Sequence, residues 1–425
     1  MDINGQTLPA DFSGHMLDMD EDEDLEVFSK KTSHVDGDGN PVPNSPSSMV
    51  NQYRLEEDGD EEHRDIHTKD LYITVDDPES HVTAIETFIM YRVLTRTTRS
   101  EFDSSEYEVH RRYQDFVWLR SKLEENHPTL IVHPLPEKFV VKGMVERFSN
   151  DFIETRRKAL DRFLKKTANH PVLSFSPHLQ VFLTEADLAS HKKQGPGFLS
   201  RMGETVRAVA NTVRGLKSRP EEFTQMQEYL EVFSSKITSA DKVTQRIIRE
   251  QKEYLDELKQ YHPMYVQWAN SEDVLADSLK SVADCVERCS KETEEQTQHL
   301  SEILCPAIHE YVLCADTLKG VMKRRDNIQA EFAAKNEVLA SRKAEKEALQ
   351  EEVDAHADRL EQANNVLKED WPRWKSDIRT DLRSALISTA EKNMEYYEKC
   401  LAVWESFLFS QRPEPREQSD GDHVF

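Results

Sequence analysis

From Pro220 to about Ser410 the chain places its apolar residues at the three- and four-residue steps of an α-helix, almost without interruption. No other feature limits the fold as much. Pro220 followed by Glu221 and Glu222 marks a helix start, because proline suits the first helical position and acids suit the first turn. Helix 1 is expected to run to about Tyr261, where Pro263 stops it, with Phe223, Tyr229, Leu230, Phe233 and Ile237 among its apolar marks. Ser271, Glu272 and Asp273 open helix 2, which extends to about Ala348; helix 3 covers about Gln350 to Ser410 and carries Val366, Trp371, Trp374 and Ile378. At 1.5 Å per residue these helices are about 60, 115 and 90 Å long, too long to bury their stripes within one small globule. Pro306 and Pro372 fall inside helices 2 and 3 and should bend them.

The segment before this region has another character. Residues 107–119 read Tyr-Glu-Val-His-Arg-Arg-Tyr-Gln-Asp-Phe-Val-Trp-Leu, an alternating strand that runs into Arg111, Arg112 and Tyr113 and then into a helix with Phe116 and Leu119 on one face. A strand end that delivers a guanidinium and an aromatic ring to one edge makes an anion pocket, since the guanidinium fork matches phosphate oxygens. A plain strand–helix junction with solvated arginines is the alternative. Residues 134–138, Pro-Leu-Pro-Glu-Lys, form a stiff exposed loop, because proline fixes φ and removes a donor. A helix follows with Phe148, Phe152, Ala159, Leu160, Phe163 and Leu164 on its apolar side and Arg156 and Arg157 within it.

This order of elements resembles the PX (Phox homology) domain over roughly residues 66–187. The resemblance implies that Arg112 grips the 3-phosphate of a phosphoinositide. It places Tyr113 under the inositol ring, Lys138 near the 1-phosphate and Arg156 on the ring hydroxyls. One position departs from the family pattern: His133 stands where the loop usually has its first proline.

Charge separates the remaining parts. The chain of 425 residues has a net charge of −25, which looks unsuited to an anionic surface. Residues 1–65, however, hold 18 Asp and Glu against 4 Lys and Arg, so that segment alone carries −14 and is expected to stay disordered, as is the tail 411–425. Residues 191–219 are the reverse, with seven Lys and Arg against Glu204. There Phe198, Met202, Val206, Val209 and Val213 recur at steps of 4, 4, 3 and 4, on one face of a helix. A basic helix with such a stripe can lie in a membrane interface, its cations at the headgroups; packing on a neighbouring domain is the alternative. Two further basic groups, Lys323, Arg324 and Arg325 and then Arg342, Lys343 and Lys346, are expected to contact an anionic membrane from the helical region.

Three long, bent, antiparallel helices (residues 220–410) resemble a BAR domain, which dimerises. With the PX-like segment and the basic linker they give the pattern of the PX-BAR sorting nexins. Supporting stretches are the opening Met-Asp-Ile-Asn-Gly-Gln-Thr-Leu, His-Lys-Lys-Gln-Gly-Pro-Gly at 191–197, Val-Met-Lys-Arg-Arg-Asp at 321–326 and Trp-Glu-Ser-Phe-Leu at 404–408. The expected fold is therefore an α+β PX domain, with a three-stranded antiparallel sheet and helices, followed by an all-α BAR domain. The resemblance implies a peripheral protein on the cytosolic face of early endosomes that binds phosphatidylinositol 3-phosphate and acts in sorting, recycling and autophagy. It also implies homodimers, or heterodimers with BAR-containing sorting nexins such as sorting nexin 4. A scaffold that uses both parts for protein contacts alone remains the competing reading.

Other classes find little support. No apolar run of 18 residues is present and the N-terminus has no basic, then apolar leader, so neither a membrane span nor a secretory signal is expected. Five scattered cysteines suit a reducing compartment. Cys285 and Cys289 share a helix face, yet no second ligand pair accompanies them. Asp36, Asp38 and Asn40 begin like a calcium loop, but Pro41 replaces the required glycine and Ser47 the terminal Glu. His309-Glu310 begins like a zinc-protease motif, but Leu313 stands where the second histidine belongs. No enzyme, cofactor, metal or nucleic-acid partner is expected.

Overall fold

The computed structural model describes residues 70–82, 87–137, 149–192, 219–341 and 346–412, the side chains of Lys346 and Ala348 excepted. Three strands, β1 (Leu71–Val82), β2 (Thr87–Thr97) and β3 (Glu106–Arg112), form an antiparallel sheet in the order β1-β2-β3. Strand alternation sets its two faces: Leu71, Ile73 and Val75 of β1 and Tyr91 and Val93 of β2 point into the core, while Tyr72 points out. β1 carries a bulge between Asp76 and Glu79, where Asp77 takes φ 43° and Pro78 offers no ladder donor. Helix α1 (Tyr113–Asn126) leaves the end of β3 at once and buries Phe116, Leu119 and Leu123. Helix α2 (Asn150–Ala168) starts at Ser149, whose hydroxyl accepts the Phe152 N–H at 3.3 Å. It buries Leu160, Phe163 and Leu164 against the same core. Helix α3 (Pro177–Thr184), with Pro177 at its first turn, closes that core with Leu179, Phe182 and Leu183. The short helix α4 (Ala189–Lys192) follows.

Helix α5 (Glu221–Ala269) has 49 residues. Pro220 is its N-cap, one position before the expected one, and both acids do occupy the first turn. The helix does not stop at Pro263. That residue is exposed, so the carbonyl it leaves without a donor can be hydrated and the helix continues to Ala269. Ser271 also differs from expectation. Its hydroxyl donates to the Trp268 carbonyl at 2.8 Å, so it closes helix α5, and the next helix, α6 (Ala276–His299), begins five residues later. A π-helical turn, Leu300–Leu304, joins α6 to α7 (Cys305–Ser341) just before Pro306; the wide turn is a way for a helix to absorb a residue that lacks its N–H. Helix α8 (Lys346–Gln411) runs 66 residues through Pro372.

These helices pack antiparallel. Lys259 of α5 pairs with Glu294 of α6 at 2.9 Å, and Gln296 of α6 donates to Asn393 of α8 at 2.6 Å. Their core joins Phe223, Leu230 and Ile237 with Tyr311, Leu318 and Met322 and with Leu367, Trp371 and Trp374. Tyr229 and Phe233 meet Trp371 and Trp374 edge-on, at 5.7 and 5.5 Å between ring centres.

A polar seam fixes the sheet-bearing part to the helices. The Ile131 N–H donates to Asp370 at 2.7 Å, and Glu310 receives Arg162 at 2.7 Å and His133 at 3.0 Å. The histidine that replaces the family's proline is thus a seam contact.

Candidate functional site

Register in the sheet gives the two neighbouring arginines different environments. Arg111 pairs with Tyr91 on the core face, and Arg112 pairs with Met90 on the opposite face. Arg111 is 1% exposed. Its guanidinium donates to the Phe182 carbonyl at 2.9 and 2.7 Å and to the Glu185 carbonyl, which ties β3 to the C-terminal end of α3. Burial pulls its pKa down to about 10. Arg111 is therefore spent inside the fold.

Arg112 is the residue before helix α1, and its N–H donates to Asp115 at 2.7 Å. Asp115 also pairs with Lys192, which belongs to the start of the basic linker. The Arg112 guanidinium lies over the Phe88 ring, 3.4 Å from its centre. Both the guanidinium and the positive end of α1 are thus at one edge of the sheet, where anions are favoured.

Tyr113 and Arg156 meet beside this edge. The Arg156 guanidinium lies 4.4 Å from the centres of the Tyr113 and Phe152 rings, and it donates to the Glu137 carbonyl at 3.2 Å. The Tyr113 hydroxyl donates to the Pro136 carbonyl at 2.6 Å, so the proline loop is held to the same two residues. Among the described residues Arg156 has no carboxylate partner, and its Nε is buried without an acceptor. Burial holds its guanidinium below the usual arginine range. Its neighbour Arg157 is bound instead to Glu154 and to the Val75 carbonyl, both at 2.7 Å. The structure thus brings Arg156 onto Tyr113, the residue that follows Arg112, while Lys138 lies outside the described residues.

Of the other expected positions, several fall on residues that are not described. Phe198, Met202, Val206, Val209 and Val213 lie outside the described residues, as do Arg342 and Lys343 and the side chain of Lys346. Of the first basic group only Lys323 is exposed. Arg325 is 0% exposed and is no membrane contact: it binds Asn364 at 2.8 Å and Asp326 at 3.0 Å and covers Phe223 at 4.1 Å. Arg324 is half-buried at the seam and donates to the Pro128 carbonyl at 2.6 Å. The basic run had concealed two arginines whose partners lie far away in sequence. Phe88 and Asp115 were missed by sequence reasoning. Phe88 is visible only through register, which places it diagonally across the sheet from Arg112.

A PX-type sheet and helices, with arginines on an exposed edge and a long antiparallel helical region behind them, define the class of PX-BAR proteins. A model of the PX domain matches residues 99–186. Sorting nexin-7 of Homo sapiens is 58% identical over 372 residues, which cover 87% of this chain and 94% of that protein. Sorting nexin-30 of Mus musculus is 50% identical over 370 residues, or 87% of this chain and 83% of that protein. The cryo-EM structure of the SNX-BAR Mvp1 tetramer covers 79% of this chain and 99% of its own, with TM-score 0.52 and 17% identity, and shows the fold alone. The chain belongs to the PX-BAR sorting nexin family. It is accordingly a membrane-trafficking adaptor, and no helix among the described residues is long and apolar enough to cross a membrane.

Proposed function

We propose that the chain recognises phosphatidylinositol 3-phosphate on the cytosolic face of early endosomes and acts there in sorting and recycling, with a link to autophagy. Arg112 takes the 3-phosphate, Tyr113 lies under the inositol ring, Lys138 serves the 1-phosphate and Arg156 the ring hydroxyls. The observation that carries this reading is Arg156. Its guanidinium is partly buried against the Tyr113 ring, with an unsatisfied donor and no described acid to neutralise it. A buried cation without a counter-charge is costly, and an anionic ligand would remove that cost.

The remaining parts supply attachment and avidity. The domain limits we assign are 1–65 for an acidic tail, 66–187 for PX, 191–219 for the amphipathic linker, 220–410 for BAR and 411–425 for a terminal tail. The linker stripe Phe198, Met202, Val206, Val209 and Val213 enters the lipid interface. Lys323, Arg342, Lys343 and Lys346 meet the anionic surface. Each cation near such a surface contributes about 1 kcal/mol, screened by salt. The BAR region pairs with a second copy or with another BAR-containing sorting nexin such as sorting nexin 4, which doubles the sites and raises avidity.

Sedimentation with vesicles that contain either phosphatidylinositol 3-phosphate or unphosphorylated phosphatidylinositol tests this reading. Wild type should favour the former, and Arg156→Gln should lose most of that preference while Arg157→Gln destabilises α2 instead. Equal sedimentation of wild type with both vesicles would favour the protein-scaffold reading.

A further inference from the structure

We propose that Lys192, at the start of the basic linker, is a positioning residue for phosphoinositide recognition: its ammonium group holds and neutralises Asp115, so that the linker sets how strongly the neighbouring sheet edge binds a phosphate. The proposal rests on the reading of Arg112 as the phosphate-binding arginine.

The contact joins two places far apart in sequence. Asp115 is the third residue of α1 and is 8% exposed. One of its oxygens, Oδ2, accepts the Arg112 N–H at 2.7 Å. The other, Oδ1, receives the Lys192 ammonium group. The end of the sheet-bearing part brings Lys192 there. Leu188 is buried in the core beneath the sheet, and Asp187 accepts the Ala189 N–H at 2.9 Å. The Lys192 N–H donates to the Leu188 carbonyl at 3.1 Å, so the single turn of α4 sets its side chain onto Asp115.

An acid in this place has two opposed effects. In the first turn of α1 it caps the chain and suits the positive end of the helix. To a phosphate at the same edge it is a like charge close by, and a partly buried charge is screened less than one in water. A cation on the outer oxygen cancels much of that repulsion and leaves the cap intact. Arg111 also lies in the field of Asp115, but it is buried and its donors serve the Phe182 and Glu185 carbonyls. Lys192 is different: its side chain is 36% exposed, so its charge can be removed without opening the core. The charge at the pocket thus depends on a residue outside the strand and helices that carry Arg112, Tyr113 and Arg156.

The test compares the full chain with Lys192→Gln, Lys192→Arg, Asp115→Asn, the double variant Lys192→Gln with Asp115→Asn, and Arg112→Gln. Lys122→Gln, which removes a cation paired with Glu125 near the other end of α1, controls for net charge. Calorimetry measures soluble inositol 1,3-bisphosphate, which has no bilayer to contact, at low and at high salt. Lys192→Gln should bind it roughly two- to tenfold more weakly at low salt, as expected for a charge lost within about one Debye length, and the loss should shrink as salt rises. Its melting temperature should match wild type, because a partly exposed ion pair adds little to stability. Lys192→Arg keeps the charge and should restore affinity. Asp115→Asn keeps an oxygen for the Arg112 N–H without the charge, so in that background Lys192→Gln should change nothing. Wild-type affinity in Lys192→Gln, an equal loss in Lys122→Gln, an equal loss in both backgrounds, or failure of Lys192→Arg to restore binding would overturn the positioning role. With Arg112→Gln inactive, each of these results leaves the pocket reading intact. Normal headgroup binding by Arg112→Gln would overturn the pocket reading, and this proposal with it.

Discussion

Replacing Arg111 with methionine should lower the melting temperature of the PX region, whereas the same change at Arg112 should leave it nearly unchanged. Methionine fills similar space but removes the donors that reach the Phe182 and Glu185 carbonyls. Those carbonyls lie at the end of α3, where no further helical turn supplies a donor. A hydrogen bond to a charged group is worth about 1.5–3 kcal/mol. Two such acceptors would give about 3–6 kcal/mol, offset in part because the arginine itself is costly to bury. The lowered pKa of about 10 reflects that cost. A net loss of about 2–4 kcal/mol corresponds to roughly 10 °C for a domain of this size. Arg112→Met loses the contact with Phe88, worth about 0.5–1 kcal/mol at an exposed site. Differential scanning calorimetry of the full chain reads both shifts. Equal melting of the two variants, or a larger loss in Arg112→Met, would refute the assignment of Arg111 to the fold and Arg112 to the pocket.

Three further outcomes are expected. Arg325→Glu should unfold the helical region, since opening a buried ion pair costs about 3–5 kcal/mol, while Lys323→Glu should fold normally and bind anionic vesicles less well at low salt; circular dichroism and sedimentation separate the two. His170 has its pKa pushed down to about 3 by burial and then by Arg373, and its Nδ1 accepts the N–H groups of Val172 and Leu173 at 3.0 and 3.1 Å. The folded pKa is below the unfolded value near 6.5, so its contribution is complete above that value and declines as pH falls toward 3; thermal melts should lose up to about 1.4 kcal/mol per pH unit below about 6, and His170→Asn should show a flatter profile. Val206→Asp combined with Val209→Asp should weaken vesicle binding without changing dimer mass in analytical ultracentrifugation, as burying each valine is worth up to about 1.5–3 kcal/mol.

Much of the fold was legible because periodicity is local. The step from alternating residues to helical spacing at Tyr113 marks the end of β3, and the acids after Pro220 mark the start of α5. The differences arise where tertiary context decides. Pro263 faces water and so does not end its helix, and Ser271 serves the helix behind it. Arg112, Tyr113 and Arg156 could be singled out through their resemblance to a known pattern, and Arg111 could not be separated from Arg112 without knowing which face of the sheet is covered. Arg325 looked like surface charge because Asn364 and Phe223, which hold it, are far away in sequence. Phe88 carries no local signal at all, since its link to Arg112 exists only through the β2–β3 register.

The central claim is that this sorting nexin reads a 3-phosphoinositide through Arg112. Its most direct test is the affinity of wild type and Arg112→Gln for vesicles of equal total charge that differ only in phosphatidylinositol 3-phosphate. A bidentate charged contact worth about 1.5–3 kcal/mol predicts a ten- to 150-fold loss, roughly, confined to the vesicles that contain the lipid. Equal binding of the two proteins to those vesicles would contradict the claim.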